Sequence, residues 1–216
     1  MPLPTLDQAH PILAGRVKAL ADAHVAAHVD RTLRLVTTTR SIEDQHRAFL
    51  KGTSKIDGLT VFGLHNYAPS LAVDVHVIQM EKGWTAPVAL VQGNMTVAKG
   101  RVILRTEDKK FLDGLKTWDV YRAFGNTAEA FGLEWGGAWL NFRDGPHLQL
   151  PYVDRIKALQ EALTRKGYEV AVDGKYGPKT AAAIEMASRK AGVSFVISSR
   201  KAKQFPCHPR TWAWLM

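Results

Sequence analysis

Apolar positions along the chain change period several times, and each change marks an element. Between about residues 5 and 29, Leu13, Val17, Leu20, Ala21 and Val25 recur near helical spacing, which predicts an amphipathic helix. LRLVTTT (33–39) is dense in β-branched residues and reads as a strand. Ser41 then caps a predicted helix, with Asp44 three positions on, that runs to about Lys51 and stops at Gly52. In LAVDVHVIQ the period drops to two, so Val73, Val75 and Val77 share one face of a strand and Asp74 and His76 the other. Loops and shorter strands are expected from Trp84 to about Ile103. Helical spacing returns over about 107–131 through Phe111, Leu115, Trp118, Tyr121 and Phe124. The mixture predicts an α+β domain over 1–150, a small antiparallel sheet with flanking helices.

The pattern breaks at LPYVD (150–154), and a second domain over 151–216 reads as a small all-α bundle. Ile156, Leu159 and Leu163 line one helical face, Gly167 ends that helix, and Asp173-Gly174 marks a turn. Gly177-Pro178 opens a second helix whose Ala183, Ile184 and Ala187 face a core. Trp212 and Trp214, in the tail, are expected to cover that core, because two helices alone expose too much apolar surface.

Charge narrows the partners. A formal net charge of +9 biases the chain towards polyanions, whether nucleic acid, anionic membrane or an acidic cell wall. No basic run is interleaved with aromatics and no zinc-finger or ribonucleoprotein motif occurs, so no nucleic-acid partner is expected. No apolar run reaches the ~18 residues of a membrane span, and the amino terminus does not read as a signal peptide. A single cysteine, Cys207, rules out an internal disulfide and a cysteine-rich structural zinc site.

Four side chains suggest chemistry: His65 and Asp74 in GLHNYAPSLAVD, then Asp144 and His147 in FRDGPHLQL. Two histidines and a carboxylate suit zinc with an open fourth position for water, and a spare carboxylate can take the proton of that water. Asp144 is best placed as the base, since a Gly-Pro pair turns the chain between it and His147. His76, on the face of Asp74, remains a competing ligand or a supporting group.

These strings resemble the zinc peptidases of peptidoglycan that include D-alanyl-D-alanine carboxypeptidases and the L-alanyl-D-glutamate endopeptidases of bacteriophage endolysins. The family carries an S-x-H-x-x-G-x-A-x-D segment and a later D/E-x-x-H segment, often within W-G-G-D-W…D-x-P-H-F. GLHNYAPSLAVD and WGGAWLNFRDGPHLQL correspond. The resemblance covers about residues 30 to 150 and implies one zinc ion held by His65, Asp74 and His147, with Asp144 as acid/base. It also implies that Arg40 serves a substrate carboxylate or the developing oxyanion, and that Gln45, Trp135 and Trp139 lie at the substrate, the two tryptophans as core or cleft wall. Three departures stand out: Gly63 replaces the usual serine, Ala138 replaces the aspartate of W-G-G-D-W, and the histidine-to-aspartate interval is two residues longer. The insertion falls in NYAPSLA.

The helical segment similarly resembles a peptidoglycan-binding domain of pattern L-Q-x-x-L…G-Y…V-D-G-x-[FY]-G-x-x-T-x-x-A, which implies wall contact through Asp173, Gly174, Tyr176, Gly177 and Thr180. The tail departs from it. Together the resemblances imply a monomeric, zinc-dependent endolysin that acts on bacterial peptidoglycan, cutting between L-alanine and D-glutamate. Such a protein is made in the host cytoplasm without a signal peptide and reaches the periplasm or wall after holin-mediated release. The rival expectations are a D-alanyl-D-alanine carboxypeptidase and a non-catalytic wall-binding module.

Overall fold

A computed structural model describes residues 3–80, 88–93, 102–105, 117–194 and 205–216. The expected helical positions Phe111 and Leu115 lie outside these. By internal contacts the chain forms two compact units, one of residues 1–38 and 72–149, the other of residues 39–71 and 150–216.

The first unit is built on a sheet. Its strands are β1 (Arg31–Thr37), β2 (Ala72–Met80), β3 (Leu90–Val91), β4 (Val102–Arg105), β5 (Glu134–Trp135) and β6 (His147–Gln149). The order is β3-β1-β2-β6-β5, with β4 also paired to β2. Strand β2 serves three neighbours because it is long: Ala72–Asp74 pair with β6, Ile78–Met80 with β4, and the other edge with β1. The α+β class holds, but the sheet is mixed rather than wholly antiparallel, since β3 runs parallel to β1. A parallel neighbour needs a long crossover, and the whole of β2 lies between those strands in sequence.

Period-two patterning sorts the two faces of this sheet. Leu33, Leu35, Val73, Val75 and Val77 are buried, whereas Arg34, Asp74 and His76 are only partly covered. Helix α1 (Pro11–Ala27) buries Leu13, Val17, Leu20, Ala21 and His24, and packs on β1. A later helix, Thr117–Ala130, packs against it and buries Tyr121 and Phe124. Each fully buried Leu or Val contributes roughly 1.5–3 kcal/mol, so this layer holds strands 2 and 6 where the site needs them.

In the second unit, helix α2 (Ile42–Leu50) starts where expected: Ser41 Oγ accepts from the Asp44 N–H at 3.0 Å, and Gly52, at φ +72°, follows its end. Numbering the helix Thr117–Ala130 as α3, the remaining helices are α4 (Tyr152–Arg165), α5 (Pro178–Lys190) and α6 (Pro209–Leu215). Ile156, Leu159, Leu163, Ala183, Ile184 and Ala187 are buried, as their spacing predicts. Trp212 is fully buried too, so it covers the core; Trp214 is half-exposed, with the Lys166 ammonium 4.8 Å from its ring.

Candidate metal centre

His65 lies in a single 3-10 turn, Leu64–Asn66, entered through Gly63. The turn is tied to the start of α2 by backbone and amide bonds. Arg40 N–H donates to the His65 carbonyl at 2.7 Å, Asn66 Nδ2 donates to the Arg40 carbonyl at 3.0 Å, and Gly63 N–H donates to Asn66 Oδ1 at 2.8 Å. The Arg40 guanidinium donates to Gln45 Oε1 at 3.1 Å. Gln45 is 3 % exposed, and its own Nε2 donates to Ser54 Oγ and the Ile56 carbonyl. Gln45, expected at the substrate, is thus buried and orients Arg40.

Asp74 and His147 face each other directly in the β2–β6 ladder. Their side chains meet, with His147 Nδ1 3.2 Å from Asp74 Oδ1. The other ring nitrogen, Nε2, lies 3.0 Å from Gln149 Oε1. Gln149 Nε2 in turn donates to Glu134, its partner across the β5–β6 ladder. An amide nitrogen that donates to a carboxylate leaves the amide oxygen as an acceptor, so His147 Nε2 donates to Gln149; in the protonated ring Nδ1–H donates to Asp74, and in the neutral Nε2–H form Nδ1 offers the lone pair that a metal would take. Burial pulls the His147 pKa down, but the hydrogen bond and charge of Asp74, the charge of Asp144 and Gln149 outweigh it and raise it above its ordinary value.

Asp144 and His147 are the first and fourth residues of a tight turn closed by His147 N–H to the Asp144 carbonyl at 3.3 Å. The Gly-Pro pair therefore does bend the chain as its sequence suggested. Trp135 secures this turn: its Nε1 donates to the Gly145 carbonyl at 2.7 Å, and its ring fills the space that a Cβ on Gly125 or Gly137 would need. Expected at the substrate, Trp135 is only 6 % exposed and buttresses the turn from beneath. Trp139 is half-buried, its ring 5.0 Å from that of His147, and so stands beside that imidazole.

His65, Asp74 and His147 each offer one ligand atom, and these atoms all lie within 4.8 Å of one another. Two ligands ~2.0–2.1 Å from a tetrahedral zinc are about 3.3 Å apart, and the Asp74–His147 separation of 3.2 Å fits that. The donor set, two imidazoles and a carboxylate, is that of an open, catalytic zinc site. His76 is absent from the group. It lines a shallow groove of about 250 Å³ with Arg34, Leu35, Ile78 and Val91 instead.

Among the expected wall-binding residues, Asp173, Gly174 and Thr180 are knotted together through Gln160. Its Oε1 accepts from the Asp173 and Gly174 N–H groups at 3.0 and 2.9 Å, while Nε2 donates to Asp173 Oδ1 and Thr180 Oγ1. Gly174, at φ +73°, has no room for a side chain beside Val153. Gly177 caps α5, and Tyr176 keeps a partly exposed ring. Sequence reasoning missed Gln149 and Glu134; the available signal was that Gln149 stands two residues past His147 on the same strand face.

Residues 62–150 match the family described as D-alanyl-D-alanine carboxypeptidase, and residues 154–201 match a predicted peptidoglycan domain. The peptidoglycan L-alanyl-D-glutamate endopeptidase CwlK of Bacillus subtilis (strain 168) is 28 % identical over 158 residues, 69 % of this chain and 77 % of that protein. The crystal structure of the Serratia marcescens L-Ala D-Glu endopeptidase ChiX aligns over 69 % of this chain and 85 % of that one, at 20 % identity and a TM-score of 0.40.

Proposed function

We propose that this chain, whose residues 62–150 belong to the D-alanyl-D-alanine carboxypeptidase family of metallopeptidases and whose residues 154–201 are a peptidoglycan-binding domain, hydrolyses the stem peptides of peptidoglycan with zinc. The bond cut is that between L-alanine and D-glutamate. The observation that carries this reading is the gathering of His65, Asp74 and His147, with Asp144 one turn from His147. The similarity to an L-alanyl-D-glutamate endopeptidase supports the choice of bond.

Zinc held by those three residues would supply a Lewis acid that lowers the pKa of water and polarises the scissile carbonyl. Asp144 accepts the proton of the attacking water and returns it to the leaving amine. Arg40, oriented by Gln45, binds a carboxylate of the stem peptide or steadies the negative charge that develops on the scissile carbonyl oxygen. Trp139 walls the cleft beside His147. The proposal extends to a monomeric bacteriophage endolysin, made in the host cytoplasm and released to the wall through holin lesions; expression with and without a holin tests that part. Among the described residues no helix is long and apolar enough to cross a membrane.

Mass spectrometry of sacculi digested with the zinc-loaded protein decides the activity. New D-glutamate amino termini that vanish on chelation are expected. Free D-alanine alone would move the assignment to the carboxypeptidase reaction, which the family's description favours, and no product would leave a wall-binding module. Asp144→Ala should keep zinc and lose ~10²–10⁴-fold in turnover, the scale of general acid–base catalysis; retained turnover would remove Asp144 from the mechanism.

A further inference from the structure

Two of the departures from the family patterns meet in space. The insertion lengthens the stretch 64–71 that carries His65, and the unusual tail supplies residues 205–216, which lie outside both matched regions. Tyr67 Oη donates to the Cys207 carbonyl at 2.9 Å, and Trp212 Nε1 donates to the Pro69 carbonyl at 2.9 Å. Ring contacts reinforce both bonds: Tyr67 stands edge-on to Phe205, Phe205 edge-on to Trp212, and Phe62 edge-on to His208. Tyr67 and Trp212 are at most 2 % exposed, so neither bond competes with water.

The tail is itself anchored. Ser188 on α5 shares a hydrogen bond of 3.0 Å with Thr211 on α6, and α6 packs on both α4 and α5. On its other side the His65 turn is fixed by Arg40 and Asn66. The loop is therefore held from two directions, and the tail provides one of them. A long loop closed only at its ends would leave His65 with more conformations to lose when a ligand is bound.

From this geometry we infer that residues 205–216 are a positioning element for the metal ligand His65: Trp212 and the Cys207 carbonyl clasp the inserted loop and preorganise the imidazole. The tail is thus part of the metal centre's support rather than only a cover for the helical core. The inference rests on the zinc reading above.

Two conservative variants of the full chain test it. Trp212→Phe removes the Nε1–H while keeping an aromatic ring, and Tyr67→Phe removes only a hydroxyl. Zinc affinity is measured by competition with a chelator, geometry by the visible spectrum of the cobalt-substituted protein, and wall binding by pull-down with sacculi. Trp212→Phe should weaken zinc about tenfold or more, the scale of losing an outer support of a ligand, and Tyr67→Phe about fivefold, one net hydrogen bond. Both should shift the cobalt spectrum and leave sacculus binding unchanged. If Trp212→Phe fails to fold, Tyr67→Phe decides. Unchanged zinc affinity and spectrum in a folded variant would overturn the inference, whereas failure of the unaltered protein to bind zinc would instead overturn the metal reading beneath it.

Discussion

A single imidazole, that of His147, has its tautomer dictated from two side chains away. Glu134 fixes the Gln149 amide, the amide oxygen fixes the Nε2 proton, and Nδ1 faces Asp74, where the proposed metal would be held. Gln149→Leu should therefore weaken zinc binding by roughly 10–100-fold with the ligands intact; chelator competition checks it, and an unaltered affinity would show that the tautomer needs no such help. His24 illustrates the opposite case. Both of its ring nitrogens are buried and find no partner among the described residues, with the His28 ring 4.9 Å away and Phe124 edge-on. Burial, then the charges of His28 and Arg31, lower its pKa to about 4. The unfolded chain takes up that proton near pH 6.5, so it binds more protons than the native state from there down to about pH 4. His24 thus leaves stability whole above pH 6.5 and erodes it as pH falls through that window. Urea midpoints at about pH 7 and about pH 5 should fall less in His24→Phe than in the unaltered protein; equal falls would place the acid sensitivity elsewhere.

Elements were legible in the sequence wherever period and capping agreed. Strand β2 was readable because Val73, Val75 and Val77 alternate with Asp74 and His76, and α2 because Ser41 and Gly52 bracket it. The gathering of His65, Asp74 and His147 was expected because their two short motifs resemble those of a known family. The clasp on the His65 loop was not, since Tyr67 and Cys207 are 140 residues apart and no local pattern encodes such a pairing. Nor was burial: Gln45 and Trp135 have the right neighbours in sequence for a substrate contact, yet both are buried whereas Trp139 stays partly exposed. Glycines sharpen the same point. A Cβ on Gly136 would lie 2.7 Å from the Asp144 carbonyl oxygen and 2.9 Å from His147 Cβ, contacts with backbone and a constrained ring that cannot yield. Gly136→Ala should shift the Asp144–His147 turn and cost on the order of 10²-fold in kcat, the price of a small misplacement at reacting groups. In contrast, Gly15 in the exposed face of α1 meets nothing within 4 Å, and Gly15→Ala should stabilise the fold by about 0.5–1 kcal/mol. Kinetics on the first and thermal melts on the second separate a glycine needed by the site from one that only loosens a helix.

Across the whole molecule, charge is unevenly distributed along the chain. Residues 151–216 hold twelve Lys and Arg against five Asp and Glu, a net of +7 out of the total of +9. The stretch 1–150 is left nearly balanced. Because exposed charges act over a Debye length, which shrinks from ~10 Å at 0.1 M salt to ~3 Å at 1 M, attraction between this basic portion and an anionic wall should be screened over that range. The proposed hydrolysis would depend instead on groups at contact distance: His147 on Asp74 at 3.2 Å, and Arg40 on Gln45 at 3.1 Å. Such short-range arrangements are little affected by screening. Raising salt should therefore release the protein from intact sacculi while leaving turnover of a soluble stem peptide nearly unchanged, and activity on sacculi should fall with binding. Parallel measurements of pull-down and of soluble-peptide hydrolysis along one salt series test this. A wall affinity indifferent to salt would mean that recognition rests on close contacts such as those open to the half-exposed Tyr176, and that the basic excess serves some other anion.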